Sequence, residues 1–479
     1  MSGGVAGGGA GGDSGGGGAS GNPLLSGPLR RTVLVLAWPV LCEQVLGFLV
    51  GLCDTWLSGR IEGISEVATG AVGLAAYVGW LASMLFGLVA TGTTALVARH
   101  RGAGEPDEAN RIMNRSLALA GVAGGAVYAL IYLAAPMMAR LLEMTGEEGR
   151  IVVHYLRVDG VGHVATGVTL AAAAAMRGSG NMRTPMKVLG LVGILNVIVS
   201  TVLVFGWGEG RVLRIEPWGI DGIVAGTLVA RFAGGLLIVL VLARGVSGLK
   251  IEVSQLRVVG KSARRILRIG GPAALDGAIT WGGQFLFLMI IARLDDAGRG
   301  SAVFAAHIVG VRLEGITYLP AVAWGAAAAT LIGQSLGAGR PERAMAAGHE
   351  TAKQCGLLSV VIGVIFLVAA PWLFGLMHTS GAVAEEGTVP FRVNAMFQLP
   401  LALSIIYTSA LRGAGDTKFP LVAHVVGIYV VRLPVAWWAG VVLGGGLLGA
   451  WIAMSADVVV RSLLLVWRYR RGGWLRTEV

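Results

Sequence analysis

From residue 32 onward, apolar runs alternate with short polar breaks. Each run is roughly 20 to 30 residues long, the length a helix needs to cross a hydrocarbon core about 30 Å thick. The runs cover 32–58, 67–98, 114–142, 151–176, 184–206, 219–244, 266–293, 303–335, 350–377, 388–412, 418–443 and 447–469. They predict twelve transmembrane helices, and so an all-α polytopic membrane protein. Composition points the same way: 55% of residues are hydrophobic, 14% are charged and the mean hydropathy is +0.73, which excludes a soluble domain. Ahead of the first run, residues 1–29 are a Gly/Ser tract with one acid, Asp13. The tract is expected to be a disordered cytoplasmic tail and lacks the basic cluster and apolar region of a signal peptide.

The polar breaks repeat. "RGSGNMRTP" at Arg177 returns as "RGAGDTKFP" at Arg412, and "GAGEPDEA" at Gly102 returns as "GAGRPERA" at Gly337. Pro39 in "AWPVL" matches Pro272 in "GGPAAL", and "GIDG" at Gly219 has a weaker counterpart in "GLLG" at Gly446. Four landmarks in the same order mark two homologous halves. Each half holds six helices, an even number, so both enter the membrane from the same side as parallel repeats. The expected organisation is an N-lobe at 30–244, a basic linker at 245–265, a C-lobe at 266–469 and a C-terminal tail at 470–479. Glycine for a tight turn, Arg or Lys at the helix end and proline to start the next helix make the repeated phrases read as turns.

The net charge of +11 reflects topology and not a nucleic-acid partner. Most of the 38 Lys/Arg fall in the termini and the even-numbered loops, which by the positive-inside rule places both termini in the cytoplasm. A multi-pass protein of the cytoplasmic membrane is expected, surrounded by lipid. Cys42, Cys53 and Cys355 all lie in apolar segments, and the first two are separated by about 16 Å along one helix, too far to bridge.

The motifs in combination resemble one family. Proline early in the first helix, "DTWLSGR" at its end, "GTTALVARHRGAG", "MRGSGNMRTPM", "ATLIGQSLGAG" and "ALRGAGDTKFP" look like the multidrug and toxic compound extrusion (MATE) family over residues 30–470. The resemblance implies two six-helix lobes around a central cleft that opens alternately to each side, exporting organic cations or other amphipathic compounds in exchange for H⁺ or Na⁺.

Ionisable residues inside membrane helices are costly and are functional candidates by default. On the first helix, Glu43 and Asp54 lie close to three turns apart and share a face. Asp159 and His163 are one turn apart on the fourth, Asn196 and Ser200 lie on the fifth and Thr227 on the sixth. Carboxylate, amide and hydroxyl oxygens at one depth suit a proton or small cation, so Asp54, Asp159, Asn196, Ser200 and Thr227 form the expected ion-coupling set. The resemblance supports Asp54, Asn196 and Thr227. Some relatives carry an acid where this chain has Ser200, which tilts the expectation toward H⁺. Where present, the family's seventh-helix acid falls at the position of Thr280 here. Glu43, His163, Asp276, Thr280 and Gln284 are the expected cleft residues, with Pro39 as a hinge. Asp457 and Arg461 have the spacing of an intrahelical ion pair, whereas Arg312 and Glu314 cannot face each other and need other partners.

No P-loop, metal-spaced Cys/His cluster or nucleophile elbow is visible, so neither enzymatic activity nor a cofactor is expected beyond the coupling ion. The expected partner is a cationic or amphipathic small molecule, handled by a monomer. A lipid-linked oligosaccharide flippase of the same superfamily is the alternative, followed by a polytopic membrane enzyme built on Asp159 and His163.

Overall fold

A computed structural model of the chain describes residues 23–61, 64–141, 146–207, 215–294 and 302–477. Among these residues the protein is helical apart from two isolated β-bridges, Trp207 with Ile215 and Val246 with Leu249. The first half contributes α1 (Leu29–Ser58), α2 (Ser65–Gly102), α3 (Pro106–Leu141), α4 (Gly146–Gly178), α5 (Arg183–Phe205) and α6 (Ile220–Arg244). The second contributes α7 (Gly260–Arg293), α8 (Ala302–Gly337), α9 (Pro341–Met377), α10 (Gly381–Ala395), α11 (Gln398–Ala414), α12 (Lys418–Val442) and α13 (Gly446–Arg470). Eleven of these are long and apolar enough to cross a membrane singly, and α10 with α11 forms a twelfth span bent by 57°.

The expected tenth helix, 388–412, is therefore broken. Pro400 sits in the first turn of α11, where its missing N–H costs nothing, but a straight helix through it would lose a hydrogen bond there. α3 and α9 start earlier than their apolar runs because Pro106 and Pro341, at equivalent places in the repeat, stand at their first residues. Within α12, π-helical turns at Val426–Arg432 and Trp437–Val442 widen the backbone.

The structure gives the repeated phrases a physical reason. Gly180 and Gly415, at matching positions of the phrase that follows α4 and α11, have φ of 92° and 93°, a left-handed conformation that a side chain would strain. Gly102 and Gly337 serve a different need. A Cβ on Gly102 would overlap the carbonyl of Gln334, and a Cβ on Gly337 would overlap that of Arg99, so each glycine lets the two lobes' backbones touch.

This seam lies at the end of the molecule where α1 begins and α13 ends. Its pairing is reciprocal: α1 packs on α8 and α2 on α7. Val33, Leu36 and Val40 of α1 are buried in a C-lobe core with Trp324 and Leu331, while Ile266 and Ile269 of α7 are buried in an N-lobe core with Leu96 and Met113. The lobes are thus closed against each other at the terminal end, and the cavities described below lie farther along α1 and α7.

Residues 1–22 of the tail lie outside the described residues. The expected disorder does not extend to its last stretch. Pro23–Ser26 is a helical turn with Leu25 buried, and Arg340 and Arg343 donate to the carbonyls of Leu24, Leu25 and Gly27. At the other terminus Trp474 is fully buried and stacks on Tyr469. The basic linker is strapped to α3: Asn110 and Asn114 bond the backbone of Lys250 and Glu252, at 2.8 to 3.0 Å.

Candidate translocation site

α1 presents Glu43, Gly47 and Asp54 along one wall of a cavity of about 560 Å³. Asn196 of α5, Thr227 and Arg231 of α6, and Leu319 of α8 complete it, so the cavity belongs mainly to the N-lobe and touches the C-lobe through one helix. The stagger of eleven residues brings both acids of α1 to this wall, as three helical turns require.

The acids differ in their bonding. Asp159 is held by Arg231, whose Nη1 lies 2.9 Å from its carboxylate and also donates to its backbone carbonyl at 3.0 Å; His163 Nε2 lies 3.4 Å away. Glu43 pairs with Arg177 and Asp276 with Arg412, while Asp457 pairs with both Arg432 and Arg461. Glu314 accepts from Asn394 at 2.8 Å. Among the described residues, Asp54 makes no hydrogen bond or ion pair, and its Oδ1 is buried. Asn196 donates to Thr227 at 3.1 Å, which leaves its own carbonyl oxygen buried and unbonded. The Ser200 hydroxyl is also unbonded and lies against Gly226 in the α5–α6 seam, where a Cβ would overlap it.

The structure thus brings Asp54, Asn196 and Thr227 to one cavity, as the spacing suggested. Glu43 joins them there, and the remaining predicted residues lie elsewhere. Asp159 does not line that cavity and reaches it only through Arg231. Ser200 is packed between two helices. His163 is 2% exposed, its ring facing Gly79 and Phe86, so it is not a cleft residue. Asp276 is 1% exposed and enclosed by Arg412 and His424, at 2.6 and 2.8 Å. Thr280 is half-buried and lines neither cavity. Gln284 does line a second cavity, between α2, α7 and α8. Pro39 is buried within an unbroken α1.

Sequence reasoning missed the arginines. Arg177 and Arg412 were read as turn residues anchoring helix ends, yet each reaches back to an acid on the first helix of its own half. Glu43 stands four residues after Pro39 and Asp276 four after Pro272, so the two pairs are images of one another in the repeat. An acid one turn beyond each proline, combined with an arginine opening each phrase, was the available signal. Each pair ties the proline-containing helix to the end of the fourth span of its lobe. Asp276→Asn is expected to lower stability by about 3 kcal/mol, because it strands Arg412 beside a buried site. The more exposed Glu43→Gln should cost about 1–2 kcal/mol. Thermal unfolding of the two purified variants in one detergent checks the order.

The comparisons with known proteins accord with this geometry. The MatE family model matches twice, over residues 39–202 and 272–438, one match in each half of the chain. A "Probable multidrug resistance protein NorM" from Thermotoga maritima is 29% identical over 94% of each chain. A solved structure described as MATE in the straight conformation superposes with a TM-score of 0.85 over 95% of this chain and 99% of its own, at 19% identity. An outward-facing multidrug resistance MATE transporter of the MOP superfamily superposes with a TM-score of 0.84, covering 95% and 98%, at 20% identity. With both halves matched to the family model, the chain belongs to the MatE family of membrane transporters, which are not enzymes.

Proposed function

We propose that the protein is a secondary-active antiporter that exports organic cations and other amphipathic compounds in exchange for protons. The observation that carries this reading is Asp54, an unpartnered carboxylate on the wall of a membrane-embedded cavity, beside the free carbonyl of Asn196. An acid that shares a cavity with Arg231 but forms no ion pair is able to exchange its counter-charge, and a proton and a cationic cargo compete for it. The surrounding apolar wall, including Phe48, Val192 and Leu319, supplies area for an amphipathic body.

In this reading the basic, terminus-bearing end faces the cytoplasm of a cell whose inner membrane the chain spans. The closed seam there makes this the conformation open to the outside. Ion binding at Asp54 releases cargo outward, and the glycine seam must part for the lobes to admit cargo from within. One chain holds both lobes, so a monomer is a complete unit and needs no cofactor beyond the coupling ion. Ser200, where an acid would add a ligand for Na⁺, favours the proton.

The test is transport of a fluorescent organic cation in proteoliposomes, with pH and Na⁺ gradients imposed separately. A gradient of one pH unit supplies about 1.4 kcal/mol per proton, roughly a tenfold accumulation for one-to-one exchange. Accumulation driven by pH alone is expected. Transport that follows Na⁺ alone would replace the ion, and transport indifferent to both gradients would end the antiport reading.

A further inference from the structure

The second cavity, about 480 Å³, lies where α2 of the N-lobe meets α7 and α8 of the C-lobe. Its walls are aromatic: Tyr77 and Trp80 from one lobe, Trp281 and Phe285 from the other. The Trp80 and Trp281 rings touch across the seam, so the site is made by both lobes together.

Arg312, Gln284 and His307 share one property. Arg312 is exposed to the cavity and, among the described residues, has no ion pair or hydrogen bond. Arg231, Arg432 and Arg461, also inside helices, are by contrast each paired with an acid. Gln284 has its carbonyl oxygen occupied by Arg432 at 2.9 Å, which leaves its amide N–H groups. His307 accepts from Trp451 on Nδ1 at 3.1 Å, which puts the proton of its neutral ring on Nε2. Arginine has five donors and no acceptor. All three groups therefore offer N–H, their acceptor ends being used within the protein, and no carboxylate lines the cavity.

We propose that this inter-lobe cleft binds planar aromatic anions, the ring system lying against Trp80, Trp281 and Phe285 and a carboxylate on the Arg312 guanidinium. Stacking on aromatic faces is tolerant of ring type, and a guanidinium receives a carboxylate through two parallel hydrogen bonds. Aromatic faces also attract cations, but here a cation would have to sit beside an uncompensated guanidinium with no carboxylate to receive it. Repulsion between like charges in a poorly hydrated cleft outweighs that attraction. The site goes beyond the antiport reading: the N-lobe cavity presents acids, this one presents donors, and together they widen the cargo to compounds of either sign. Its contribution to export rests on the antiport reading, whereas its binding does not.

The test uses the full chain carrying Asp54→Asn, so that the acid of the N-lobe cavity does not itself hold the cation, in phosphatidylcholine nanodiscs, titrated without any gradient with 1-pyrenecarboxylate, 1-pyrenemethanol and 1-pyrenemethylammonium, empty discs being subtracted. The carboxylate is expected to bind about tenfold tighter than the ammonium. Arg312→Gln, which removes no internal bond, should bring the carboxylate to the affinity of the alcohol and leave the alcohol unchanged, and Arg312→Lys should restore part of the difference. Trp281→Ala should weaken all three. An unchanged carboxylate affinity in Arg312→Gln, or an ammonium that binds best, overturns the proposal. So does loss of carboxylate binding when phosphatidylglycerol is added to the discs, which would assign Arg312 to a lipid headgroup. Because binding is read at equilibrium, failure of ion-driven transport leaves this result standing.

Discussion

Asp54→Asn is expected to fold, insert and melt like the wild type, yet to lose ion-driven export by about a hundredfold or more. Asp54 accepts no hydrogen bond within the protein, so the near-isosteric amide breaks no contact, and a stability change under about 0.5 kcal/mol is the expected outcome. The functional loss follows from arithmetic. To bias two conformations a hundredfold, an ion must bind one of them more tightly by about 2.7 kcal/mol. An amide cannot change its charge on binding a proton near neutral pH, so that difference disappears. Passive, gradient-independent equilibration of cargo should persist, since the cavity remains. The measurement is dye accumulation in proteoliposomes under an imposed pH gradient, with the same gradient collapsed as reference. A variant that still concentrates dye at the wild-type rate would make Asp54 structural and move the search to Asp159, which Arg231 connects to the same cavity.

Asp457→Asn should have the opposite profile, losing stability first. The spacing on α13 suggested an intrahelical pair with Arg461, and that pair forms, with Arg461 Nε 2.6 Å from the carboxylate. The fold adds a second cation: Arg432 of α12 lies 2.6 Å from the other oxygen, which the π-helical turn ending at Arg432 helps to place. Gly427 makes the arrangement possible, since a Cβ there would overlap both Asp457 and Arg461. Asp457 is fully buried, and replacing it by Asn leaves two buried guanidiniums without a counter-charge. Breaking a buried pair by removing one partner costs about 3–5 kcal/mol, mostly the penalty of the charge left behind. Asp457→Asn is therefore expected to unfold in detergent at a clearly lower temperature and to reach the membrane in reduced amount. Normal melting would show that water or lipid reaches Arg432 and Arg461 and compensates them.

These two acids show what a linear reading of this chain can and cannot reach. Span number, the duplication and the inward face of α1 are legible, because they depend on quantities that run along the chain: hydrophobic length, the offset between repeated phrases and the helical period. Asp54 was recognisable for the same reason, as an acid at a depth where lipid would not tolerate it. Pro400 was in plain view, but whether a proline breaks a span or is absorbed depends on the helices around it. The partners of the acids were decided only by tertiary structure. Arg177 lies 134 residues from Glu43, Arg412 lies 136 from Asp276 and Arg231 lies 72 from Asp159. The pattern of apolar and polar positions registers that a charge is buried but not which distant helix neutralises it. Burial makes pairing compulsory, while the packing of the lobes chooses the pairs, and that choice leaves Asp54 and Arg312 open in two cavities of opposite polarity.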